Sequence, residues 1–143
     1  MRRNKLALNL HLVWATWDRI PWITADVERQ LYRNIADQAR EVGCTLLALG
    51  GIEDHVHLVV SLPATVTVAQ LAKQVKGASS HFAGDVLGMG TGNKWQGFYG
   101  AFTVSRWDLD RVIGYVRRQK EHHGAQEGLV TEWEETAEEV DVG

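Results

Sequence analysis

The chain has 143 residues, within the ~100–200 expected of one domain, and a chain of this size buries ~70% of its unfolded surface without staples. Hydrophobic residues make up 45% and charged residues 23%, proportions that exclude a disordered or fibrous chain. The lone cysteine, Cys44, excludes an internal disulfide and a cysteine-based zinc cage, and fits a reducing, cytoplasmic compartment.

The net charge of −3 conceals an asymmetry. Residues 127–143 carry seven acids and no Lys or Arg, so positions 1–126 hold 15 basic against 11 acidic residues, a balance of +4. This divides the chain into a mildly basic body, 1–126, and an acidic tail, 127–143. A basic body suits a polyanion; the acidic tail reads as a solvated segment or a competitor for the same surface. The longest stretch free of charged residues, His55 to Ala72, contains Pro63 and Gln70, and no membrane span is expected.

In chain order, Leu6, Leu8, Leu10, Leu12 and Trp14 alternate with residues such as Asn9 and His11. Period two predicts a strand over roughly Lys5–Thr16 and argues against a secretory signal. A helix follows, capped near Thr24, with Val27, Leu31, Ile35, Ala39 and Val42 on one face and Gly43 closing it. Cys44–Ile52 reads as a second strand, with Gly50-Gly51 allowing a bulge or bend, and His55–Leu62 as a third. Thr67 and Gln70 form a capping box for a second helix bearing Leu71, Val75, Ala78 and Phe82. Gly88–Gly92 is a loop without the spacing of a dinucleotide fingerprint. Lys94–Val104 predicts a fourth strand, and Ser105–Asp108 opens a third helix running to about His123.

The order βαββαβ plus a C-terminal helix predicts an α+β fold: a ferredoxin-like sandwich with a four-stranded antiparallel sheet and both crossover helices on one face. Asn9, His11, His55 and His57 then lie on the opposite face, which is expected to be free for a ligand.

His55 and His57, at i and i+2 of a strand, project to one side and can share a metal ion. Two ligands are too few, so a third is needed from elsewhere. The third helix offers one. Its apolar stripe is Leu109, Val112, Ile113 and Val116, and at 100° per residue Tyr115 stands roughly 110° from the stripe's centre. Tyr115 is therefore expected outside the core, on a polar stripe with Arg118, Gln119 and His122.

These groups suit phosphodiester chemistry. A divalent ion held by His55, His57 and Gln119 would polarise the phosphate, and Tyr115 would attack phosphorus and conserve the bond energy as a phosphotyrosine. Only about 0.1% of a free Tyr is phenolate at neutral pH, so activation is required. Arg117, Arg118 and Lys120 would hold the substrate backbone, with His122 as a further possible ligand.

The stretches His11–Thr16, Asp54-His-Val-His-Leu-Val-Val60, Lys76-Gly-Ala-Ser-Ser80, Trp95–Ser105 and Tyr115-Val-Arg-Arg-Gln119 followed by His122-His123 together resemble the HUH tyrosine transposases. These are the single-strand DNA transposases of insertion sequences, including the branch associated with repetitive extragenic palindromes. The resemblance implies a homodimer on a ferredoxin-like core, in which the tyrosine helix of one subunit often completes the histidine site of the other. It implies recognition of hairpins in single-stranded DNA, cleavage beside them with Mg²⁺ or Mn²⁺, a 5′-phosphotyrosine and strand rejoining. By position, His55 and His57 match the histidine pair, Tyr115 the nucleophile, Gln119 the glutamine ligand and Lys76 a phosphate contact. Two other readings of the residues are a non-catalytic nucleic-acid-binding module stacking bases on strand aromatics, and a metal-dependent hydrolase of a small substrate.

Overall fold

A computed structural model describes residues 4–90, 94–125 and 129–136. Strand β1 (Asn9–Ala15) leads through a short turn to helix α1 (Ala25–Glu41); β2 (Thr45–Ile52) and β3 (His55–Ser61) follow, then α2 (Val68–His81) and β4 (Gly100–Val104). Three short helices end the described chain: α3 (Leu109–Arg117), α4 (Gln119–Ala125) and α5 (Thr131–Glu134). The strands form one sheet in the order β2-β3-β1-β4, with every pairing antiparallel. The α+β expectation, with its four-stranded antiparallel sheet, is met. Among the described residues no helix is long and apolar enough to cross a membrane.

Local signals explain the helix boundaries. At the end of α1, Gly43 sits at φ 95°, which glycine adopts without a Cβ penalty. Cys44 N–H donates to Ala39 O at 3.0 Å and Gly43 N–H to Arg40 O at 2.9 Å, the paired bonds of a Schellman stop. Helix α2 starts with the expected box: Gln70 N–H donates to Thr67 Oγ1 at 3.1 Å and Thr67 N–H to Gln70 Oε1 at 2.8 Å. Its last turn widens into a π-type segment, Phe82–Val86.

Alternation divides the sheet into two faces. Leu10, Leu12 and Trp14 of β1 and Val56, Leu58 and Val60 of β3 pack with Leu31, Ile35, Leu71 and Val75 of α1 and α2. Each such side chain contributes roughly 1.5–3 kcal/mol by leaving water. Trp95 closes this core against Trp22 at 4.8 Å and Trp14 at 5.7 Å between ring centroids, and its indole N–H donates to Ser79 Oγ at 3.0 Å.

Several expectations need correction. Strand β1 starts at Asn9 rather than Lys5, and β4 is confined to Gly100–Val104. The approach to β4 keeps only an isolated bridge between Thr16 and Trp95, made by Gln96 N–H to Ala15 O and Trp17 N–H to Lys94 O, both at 2.8 Å. The third helix is not continuous to His123: Arg118 takes φ −104° and ψ 25°, so a new helix begins at Gln119. The histidine face is not open either. It carries a second core in which Ala48, Val59, Val104, Val112, Tyr115 and Val116 are buried. The acidic tail as a whole lies outside the described residues apart from 129–136, and that part packs on this same face.

Glycine permits the close approach. A Cβ on Gly50 of β2 would stand 2.1 Å from the Val116 carbonyl oxygen of α3, so the helix end rests directly on the strand backbone. Gly50→Ala is expected to cost about 1–3 kcal/mol through this overlap. Gly77→Ala, where an added Cβ meets nothing within 4 Å, is expected to gain up to about 1 kcal/mol in α2. Urea denaturation of the two variants beside the parent checks both signs.

Candidate metal and tyrosine centre

The imidazoles of His55 and His57 face the same side of β3 with ring centroids 5.0 Å apart. The β2–β3 turn sets Asp54 beside them, and His55 Nδ1–H donates to Asp54 Oδ1 at 2.8 Å. A carboxylate on one ring nitrogen fixes the imidazole's orientation and aims the other nitrogen into the site. His57 is fixed from the next strand. In the β1–β3 register His11 lies opposite Val59 and Val13 opposite His57, so His11 is a diagonal neighbour on the same face. His11 Nε2 and His57 Nδ1 are hydrogen-bonded at 2.8 Å. Burial, then the neighbouring His57, pulls His11 down to about 3, so it stays neutral.

Gln119 is buried at the first position of α4. Its Oε1 stands 3.1 Å from His55 Nε2 and accepts a bond from His123 Nε2 at 3.0 Å. The break at Arg118 turns this amide toward the histidines instead of leaving it on a helical stripe. Thus the side chains of His55, His57 and Gln119 lie together.

Tyr115 is placed differently from the expectation. It is 4% exposed, inside the second core, because α3 lies over the sheet and turns the polar side of its stripe toward the histidines. The ring meets His57 edge-on at 5.9 Å and Trp133 at 5.0 Å. Its hydroxyl donates to Glu134 Oε1 and accepts from the Val130 backbone N–H at 3.2 Å. All of these groups belong to one chain.

Glu134, in the stretch read as an acidic tail, is the residue that pattern reasoning missed. Its Oε2 lies 3.0 Å from His57 Nε2 and 3.1 Å from His55 Nε2. The atoms that His55, His57 and Glu134 can offer a metal lie within 4.8 Å of one another. Burial opposes the charge on Glu134, but hydrogen bonds from His55 and His57 hold its carboxyl well below the usual range. Burial also opposes a charged His55, yet the bonds to Asp54 and Glu134 raise it to about 9. His57 is lowered, chiefly by burial. Tyr115 is pushed up to about 12 by burial and then by its bond to Glu134.

The donor set suits a divalent cation. Two imidazole nitrogens and an amide oxygen converge, and both imidazoles are anchored through their second nitrogen. Asp54 and His11 were readable as neighbours of the pair, on the adjoining residue and adjoining strand.

The basic residues divide. Arg117 and Arg118 line a cleft of about 430 Å³ with Tyr32, Gly50, Gln119 and Lys120, directly beside the glutamine. Lys76 lies on α2, across the sheet, and donates to the carbonyls of Gln96 at 2.7 Å and Phe98 at 3.1 Å; it is not brought to the histidines. His122 has its side chain outside the described residues. A second cleft, about 340 Å³, opens onto His55, His123 and Glu134, with Arg19 at its edge. Arg19 and Asp18 hold left-handed backbones, φ 54° and 56°, a strained turn of a kind found at functional sites; it brings the guanidinium within 3.8 Å of Asp54.

Because Asp54 and His11 orient the pair, Asp54→Asn and His11→Ala are each expected to weaken Mn²⁺ binding by about 10–100-fold. Calorimetric titration measures this, and circular dichroism checks that the sheet is retained.

The model of the family described as "Transposase IS200 like" matches residues 4–119. The ISDra2 transposase TnpA of Deinococcus radiodurans is 26% identical over 117 residues, covering 78% of this chain and 84% of that protein. A crystallised transposase candidate from Deinococcus radiodurans R1 superposes with TM-score 0.64 at 27% identity, covering 83% of this chain and 96% of that one. A REP-associated tyrosine transposase, solved bound to a REP hairpin, gives TM-score 0.63 at 16% identity, covering 92% of this chain and 75% of that one; at that identity the likeness speaks to the fold. The matched span contains both histidines, Tyr115 and Gln119, and the chain belongs to the IS200-like transposase family.

Proposed function

We propose that this transposase cleaves and rejoins single-stranded DNA beside hairpins, with Tyr115 as the nucleophile. The observation that carries the reading is the convergence of the Tyr115 hydroxyl and the Nε2 atoms of His55 and His57 on one carboxylate within a single chain. A small-substrate hydrolase or a passive binding module has no use for a tyrosine held at a histidine pair.

His55, His57 and Gln119 would hold Mg²⁺ or Mn²⁺. When bound, the ion supplies charge that polarises the scissile phosphate and stabilises the departing oxygen. The phenol of Tyr115 gives up its proton to the Glu134 carboxylate that already accepts its hydrogen bond, its oxygen attacks phosphorus, and the P–O3′ bond breaks. The 3′ oxygen leaves and takes a proton, while the phosphate remains joined to the 5′ carbon of the downstream strand as a 5′-phosphotyrosine. Rejoining is the reverse attack by a 3′ hydroxyl, and it needs no external energy because the phosphodiester is exchanged for an ester of similar kind. The cleft beside His55 and Glu134 is the opening through which a phosphate would reach the hydroxyl.

Arg117 and Arg118 border Gln119 and would grip the backbone of the strand leading to the site. Lys76, across the sheet, would contact DNA away from the reacting phosphate. Support for a hairpin substrate comes from the structurally similar REP-associated transposase, which was solved with one bound. A homodimer follows from the family resemblance, although the residues assembled around His57 come from one protomer.

Hairpin oligonucleotides labelled at the 5′ or 3′ end, incubated with Mn²⁺, test this. The expected product is a covalent adduct carrying the 3′ label and a free fragment carrying the 5′ label. Tyr115→Phe should abolish the adduct, a loss of at least about 10³-fold, while binding the same hairpin; an undiminished adduct in that variant would refute the assignment.

A further inference from the structure

We infer that Glu134 is a fourth protein ligand of the divalent cation, and that cation capture pins residues 129–136 over the tyrosine. This rests on the proposed metal centre and adds a group from beyond residue 119, where the family match ends.

Spacing is the first argument. Glu134 Oε2 is 3.0 Å from His57 Nε2 and 3.1 Å from His55 Nε2, and Gln119 Oε1 is 3.1 Å from the latter. Adjacent ligands around an octahedral ion with bonds of about 2.1 Å stand about 3.0 Å apart. The separations therefore match neighbouring ligands of one ion.

Charge is the second. Two imidazoles and an amide bring no negative charge, whereas hard cations such as Mg²⁺ and Mn²⁺ favour carboxylate oxygen. Glu134 supplies the anionic oxygen the other three lack. Its second oxygen accepts the Tyr115 hydroxyl, so one carboxylate would tie cation and nucleophile together.

The seat is built for this segment. Trp133 packs edge-on against Tyr115 and against His11 at 5.9 Å, with the Arg111 guanidinium 5.2 Å from its ring centre. Thr136 Oγ1 donates to Gln96 Oε1 at 3.0 Å. A Cβ on Gly100 would lie 2.4 Å from the Glu135 carbonyl oxygen, so strand β4 leaves room for this backbone. A cation that binds only the docked arrangement stabilises docking by mass action.

Mn²⁺ titration of the full chain, followed by calorimetry and by hydrogen exchange of residues 129–136, tests the inference. Glu134→Gln is expected to weaken Mn²⁺ binding at least ~10-fold and to remove the Mn²⁺-induced protection seen in the parent, while exposed Glu132→Gln changes neither. Unchanged or tighter Mn²⁺ binding by both Glu134→Gln and Glu134→Ala would overturn it; the carboxylate would then merely stand where a phosphate enters. If the parent binds no Mn²⁺, or His57→Ala binds as the parent does, the metal centre itself falls, and Glu134 with it. Glu134→Ala guards against a glutamine that still ligates through its amide oxygen.

Discussion

Four electronegative atoms aimed at one another set the terms for this molecule. Glu134 Oε2 lies 3.0 Å from His57 Nε2 and 3.1 Å from His55 Nε2, and Gln119 Oε1 lies 3.1 Å from His55 Nε2. Lone pairs crowded together in a low-dielectric interior are repulsive unless positive charge lies between them. The carboxylate of Glu134 meets that demand by taking hydrogen bonds from both imidazoles, and Asp54 and Glu134 together favour a charged His55.

Assembling that point required departures from regular structure. An unbroken helix from Leu109 to His123 would put Gln119 on the Tyr115 stripe one turn further along. The break at Arg118 instead ends the helix of Tyr115 at Arg117 and makes Gln119 the first residue of the next. The approach of α3 to the sheet depends on Gly50, and that of the C-terminal segment on Gly100. Both glycines act by lacking a side chain where another backbone needs the space. Strain and lost bonds of this kind are tolerated where function demands a particular constellation.

How much of this was readable follows from the range of each interaction. The alternating faces of β1 and β3, the Gly43 stop and the Thr67–Gln70 box are local, and each formed as its residues imply. The pairing of His55 with His57 is local too, and the strand alone dictates it. Tyr115 was misplaced because helical periodicity separates apolar from polar faces but assumes that the polar face meets water. Here a sheet face bearing histidines receives it. Glu134 was invisible for a different reason: it stands among six other acids, 77 residues from His57, and nothing in an acidic run distinguishes the one side chain that folds inward. Chemistry that depends on such long-range closure cannot be read from periods or composition.

The burial of Tyr115 also has a logic of its own. A phenol is a poor nucleophile until its proton leaves, and burial together with a carboxylate neighbour raises it to about 12. That environment keeps the hydroxyl protonated and turned away from solvent. The same carboxylate that restrains it faces the two imidazoles, so whatever positive charge settles there weakens the restraint on the phenol. The state of the Tyr115 hydroxyl and the charge at the histidine pair are thus tied through a single side chain, and a tyrosine placed on an exposed polar stripe would have no such tie.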